Sequence, residues 1–214
     1  MKKFLLKIAL VAFNILIANG FINQADCAVI TGGLTLDCTY PALGGAKDDI
    51  YLINLAEIAS VTRNGSNPQI IEAITLVTGK VAFKYEGKNN SAEPQSSLAK
   101  QRYAEVYDHE VMFKVFTNRP ADKVQLELLA QGTVVAIVEN NHLNATGNTS
   151  FEIYGLGVGL EVVEMTRILS DVDTQGAYNL ILRTSEQLKE SHLPNTLFIT
   201  SYAATKAVVT ALLT

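Results

Sequence analysis

Tryptophan is absent from this 214-residue chain, cysteine occurs twice and histidine three times, and charged residues make up only 18% of it. Each scarcity excludes something. Without tryptophan there is no indole platform of the kind that sugar-binding surfaces stack on. Two cysteines and three scattered histidines, none paired at zinc-ligand spacing, are too few for a structural zinc site. Seventeen Lys and Arg stand against 21 Asp and Glu, a formal net charge of −4, so the basic excess of a dedicated nucleic-acid binder is missing. No uninterrupted apolar run reaches the ~20 residues of a membrane span. Soluble domains carry about 25% charged residues. A chain this sparing with charge is expected to cover part of its surface with partners. What is present is apolar: 48% hydrophobic residues and a mean hydropathy of +0.19 exclude a disordered, solvating chain. The length suits one domain with a sizeable core.

Cys27 and Cys38 lie eleven residues apart in a Gly-rich stretch. A disulfide between them needs an oxidising compartment; otherwise they are two free, half-buried thiols. The N-terminus combines a basic start with an apolar run, as a secretory signal peptide does. Lys7 and Asn14 interrupt that run, and Lys3, Lys7 and Asn14 fall on one helical stripe. No small-x-small cleavage site follows, and Asp26 directly before Cys27 excludes a lipoprotein box. The pattern therefore predicts a retained amphipathic helix over residues 3–18, capped by Asn19-Gly20, with a signal peptide as the alternative.

The rest of the chain divides into an N-terminal helix and extended arm (1–49) and a single β-rich domain (50–214). Strands are expected at 50–54, 101–117, 133–139, 151–154, 160–169, 177–183, 197–200 and 206–212, with a turn or strand at 58–62. A hairpin is expected from 70–78 and 81–85. The polar stretches 87–100 and 140–149 read as long loops. One internal helix starts at Asn118-Arg119-Pro120, buries Val124, Leu128 and Leu129, and ends at Gly132. Strands far outnumber helices and no βαβ alternation occurs. The expected fold is mainly β, an antiparallel β-sandwich or β-barrel with one flanking internal helix.

No chemistry-bearing motif emerges. His109 lies between Asp108 and Glu110, but neighbours on a strand point to opposite faces, so the triplet does not converge and a solvated strand histidine is expected. His142 and His192 read as surface residues. Gly155-Leu156-Gly157-Val158-Gly159 has the wrong spacing for a dinucleotide fingerprint and is followed by strand alternation, so it predicts a sharp corner between strands. Asp171 to Gly176 begins like a calcium loop and lacks its later ligands, which leaves a polar turn. Asp48-Asp49 has no partner set. There is no nucleophile elbow and no P-loop. No catalytic, cofactor-binding or metal site is expected, and no enzyme.

The segment Asp37 to Asn54 resembles the opening of virion structural proteins of tailed phages infecting Bacteroidales hosts, crAss-like phages among them. In those chains a short apolar helix ending in Asn-Gly precedes an acid-Cys-x-x-Pro-x-x-Gly-Gly arm and an apolar strand ending in Asn. Asn19-Gly20, Asp37-Cys38, Pro41, Gly44-Gly45 and Asn54 match that order. The stretches 133–140, 151–160 and 177–180 also fit, whereas a Cys27-containing insert departs from the pattern. The resemblance implies a tail-tube-like subunit of the tail tube or of the neck and tail-barrel rings, located in the virion. It implies a homo-oligomeric ring, six- or twelve-fold, bordered by tail, neck or portal proteins, with only non-specific proximity to DNA in its lumen and no membrane in the mature particle. The alternative, motivated by the N-terminus and the cysteines, is a secreted or envelope-associated β-sandwich binding module.

Overall fold

A computed structural model describes residues 32–35, 37–41, 43–101 and 104–214. The expected N-terminal helix and Cys27 lie outside the described residues, as do two positions of the strand expected at 101–117. Among the described residues of the body Asp37–Thr214, eleven strands and two α-helices follow one another, with one 3-10 turn at Leu55–Glu57. They are β1 (Ala46–Asn54), β2 (Ile58–Arg63), β3 (Ile70–Leu76), β4 (Phe83–Tyr85), β5 (Ala92–Lys100), β6 (Glu105–Val115), α1 (Pro120–Leu129), β7 (Val134–Asn140), β8 (Phe151–Tyr154), β9 (Glu161–Arg167), β10 (Tyr178–Arg183), β11 (Asn195–Leu197) and α2 (Tyr202–Ala211). They form a seven-stranded sheet, β2-β3-β11-β8-β7-β1-β4, and a four-stranded sheet, β5-β6-β10-β9. Every pairing is antiparallel except β11 with β3. The fold is thus a mainly antiparallel β-sandwich, as expected.

Strand periodicity explains the layers. In β1, Ile50 and Leu52 face the smaller sheet, where they pack with Val111, Phe113, Leu180 and Leu182. Tyr51 and Ile53 face the other way, into a second cluster with Ile137, Phe151, Ile153 and Val209 of α2. Because β7 is covered on both sides, its first six residues are all buried and show no alternation. Each such aliphatic side chain contributes about 1.5–3 kcal/mol of burial.

Several expectations need correction. Residues 92–100 are not loop but strand β5, held to β6 by nine cross-strand pairs. Its polar sequence hides it, because an edge strand is defined by backbone pairing and needs little apolar surface. Residues 70–78 and 81–85 do not form a hairpin: β3 pairs with β2 and β11, and β4 pairs with β1. The C-terminal segment is helix α2, not a strand. Ser201 Oγ accepts the Ala204 N–H at 3.2 Å as an N-cap, and Tyr202, Thr205 and Val209 supply an inward stripe beneath the β-branched run. Helix α1 buries Leu126 and Leu129, whereas Val124 and Leu128 are exposed. Strand β1 begins at Ala46, inside the expected arm. Strand β9 stops at Arg167, which leaves Ile168 and Leu169 outside it.

Candidate assembly surface

The four-stranded sheet packs one face on the core; on the other face the edge strands are exposed, while the middle strands are half-buried and Glu110 is only 5% exposed. Register places Glu93, Gln95, Asp108, Glu110, Met112, Lys114, Asn179, Ile181, Arg183, Glu161 and Glu164 on the outer face. Glu110 is ion-paired to Arg183 and accepts from Gln95. Asp108 meets Lys189 at 3.0 Å and accepts from Thr184. Glu93, Glu161 and Glu164 form no ion pair among the described residues, so the face carries surplus negative charge, concentrated on the two edge strands. As the sequence implied, Asp108 and Glu110 point away from His109.

Among the described residues β5 pairs only with β6 and β9 only with β10, so both edges of this sheet are open there. Unpaired N–H and C=O groups on such edges are templates for pairing with another chain. Ser96, Ser97, Leu98 and Lys100 of β5 are exposed, including Ser96 and Leu98 on the inward side. This end of the β5–β6 hairpin is therefore not covered by the larger sheet.

Buried polar groups brace the frame behind this surface. His109 is only 2% exposed, which corrects the expected solvated strand residue. Gly155 N–H donates to its Nδ1 at 3.1 Å, so Nε2 carries the proton and donates to the His192 carbonyl at 3.0 Å. Burial holds its pKa below the ordinary histidine value, against the pull of Glu190, Asp108 and Glu152. Glu190 Oε1 accepts from Gly157 N–H at 2.8 Å and Val158 N–H at 2.9 Å. The amides of the glycine corner are thus engaged internally, and no helix follows them. Gly159 has φ +83°, and a Cβ there would lie 2.2 Å from Thr133 Cγ2. The corner reading holds. Neither brace was legible in the sequence, since its partners lie far apart along the chain.

Glu139, also 2% exposed, meets Lys47 at 2.8 Å, Lys206, and the Tyr202 hydroxyl at 2.7 Å. Burial alone would raise its pKa, but these partners hold it below the usual carboxylate range. The cluster ties the start of β1 and the end of β7 to α2.

A cavity of about 560 Å³ opens between β4, the end of β6 and α1. Leu52, Phe83, Tyr85, Phe116, Leu126 and Leu128 are among its lining, with Arg119 and Asp122 bonded to each other at 2.7 Å. Burial pushes the Tyr85 hydroxyl pKa up. Asp171 accepts from Asp173 N–H and Thr174 Oγ1, which makes the polar turn expected there. His142 is half-buried, His192 exposed, and Cys38 exposed rather than half-buried. Among the described residues no group of three metal-ligating side chains converges, and no helix is long and apolar enough to cross a membrane. No family model, curated protein or solved structure matches the chain.

Proposed function

We propose that this chain is a non-enzymatic structural subunit of a tailed-phage virion that assembles into a ring of the tail tube or of the neck and tail barrel. The observation that carries the reading is the four-stranded sheet, whose two edges are open among the described residues and whose outer face carries a surplus of carboxylates. Edge pairing from copy to copy joins such sheets side by side around an axis. With the acidic face turned inward, the lumen repels phosphates, and the genome slides past instead of adhering. The resemblance of residues 37–54 to phage virion proteins supplies the setting, and the low charge of the chain fits a subunit whose flanks are covered by its neighbours.

Mass spectrometry and light scattering of the protein isolated from its native source test this reading. The expected result is a closed oligomer whose copies retain residues 2–26, the segment a signal peptide would occupy. A monomer trimmed near Cys27 would overturn it in favour of the secreted binding module.

A further inference from the structure

The turn between β9 and β10 presents Ile168, Leu169 and Val172 to solvent at 59, 76 and 85% exposure. This turn is built. Asp171 caps its inside, Gly176 N–H returns to the Asp171 carbonyl at 3.2 Å, and Arg167 Nε donates to the Gly176 carbonyl at 2.8 Å. The Arg167 guanidinium lies 4.5 Å over the Tyr178 ring and reaches Asn118. A braced turn that holds three branched apolar side chains in water has the form of a knob without its socket.

The same chain carries a socket, the cavity beside α1, where Leu52, Phe83, Phe116 and Leu126 alternate with polar side chains and whose mouth includes the exposed Leu128. The socket also offers donors for the turn's carboxylates, although Glu86 and Asp122 line it beside Lys84 and Arg119. Asp171 and Asp173 make no ion pair among the described residues. At the cavity mouth, Arg119 binds Asp122 through Nε, while its two Nη groups have no hydrogen-bond partner among the described residues. From this pairing we infer that the β9–β10 turn of one copy seats in the cavity of a second copy, with Arg119 of the receiving copy facing the turn's carboxylates. The inference rests on the ring reading and specifies one of its contacts. Knob and socket are different surfaces, so the contact can repeat head to tail, as a closed ring requires.

The test uses full-length chains carrying a photoactivatable phenylalanine analogue at Leu128, mixed with isotope-labelled wild type, assembled, irradiated and digested with trypsin. The expected product joins Leu128 to the peptide Ile168–Arg183 of the other isotopic form. Cross-linking to residues 1–31, or to the turn of the same copy only, overturns the inference. In parallel, Leu169→Asp is expected to weaken association at least about tenfold with an unchanged melting temperature, because the side chain lies in solvent in the isolated chain. Leu143→Asp, an exposed apolar residue elsewhere, leaves association unchanged. Rings that form equally well with Leu169→Asp overturn this contact and leave the ring reading standing, whereas a wild-type chain that never associates overturns both.

Discussion

The seven-stranded sheet is covered on both faces, by the smaller sheet on one and by α2 on the other. The four-stranded sheet packs only one face on the core, and among the described residues its edge strands β5 and β9 each pair on one side. Strand β7 in the first is apolar from Val134 to Val138, whereas β5 and β9 in the second mix Ser, Glu, Gln and Thr with few buried residues. The difference separates two duties within one chain. The large sheet holds the fold together, and the small sheet offers backbone edges and charge to whatever lies outside.

Substitutions should divide along that line. The largest effect is expected for Ile137→Ala, which empties a fully buried site in β7 and lowers stability by about 2–5 kcal/mol in urea unfolding. Glu164→Gln on the outer face of the small sheet should stay within about 0.5 kcal/mol. Equal losses at the two positions would erase the distinction. Next comes Glu139→Gln, which removes the anion that Lys47, Lys206 and Tyr202 share. Both lysines reach water, so the cost is reduced to about 1–3 kcal/mol. Proteolysis should then release α2 before the β-sandwich unfolds, and simultaneous loss of both would argue against a separate bracing role.

Acid should act through the brace between the sheets. His109 is held neutral in the folded chain and reaches its ordinary value, near 6.5, when unfolded. Below that value the unfolded chain binds the extra proton more readily, so stability falls as pH drops from about 6.5 toward the lower folded value. Melting temperatures between pH 8 and 5 should decline along a curve that His109→Gln flattens. A variant that keeps the full slope would assign the effect to other groups. The smallest effect on the isolated chain is expected for the triple change Glu93→Gln, Glu161→Gln and Glu164→Gln. Melting should not move, while assembled particles should retain DNA and eject it more slowly; unchanged ejection would detach the acidic face from the channel.

The sequence displayed the large sheet more plainly than the small one. The runs at 50–53 and 134–138 are apolar because both faces are covered, so burial writes them into the chain. Strand β5 escaped because its pairing is made by backbone and its side chains stay polar. Helix α2 escaped because Val208, Val209 and Thr210 favour strands, and the Ser201 cap and inward stripe outweigh them once there is a sheet face to pack against. The corner at 155–159 and the turn at 171–176 were readable from glycine placement. His109, Glu190 and Glu139 were not, since each gains its role from partners far along the chain. Knob and cavity escaped for a related reason, since exposure of Ile168 and Leu169 depends on where β9 ends.

The central claim is that the outer face of the four-stranded sheet lines an axial channel. An electron-microscopy density map of the native particle tests it most directly. The account predicts copies arranged around an axis with Glu93, Glu161 and Glu164 facing the lumen and the β5 and β9 edges at the copy-to-copy boundary. A ring with this face turned outward, or a particle in which the chain stands alone, would contradict it.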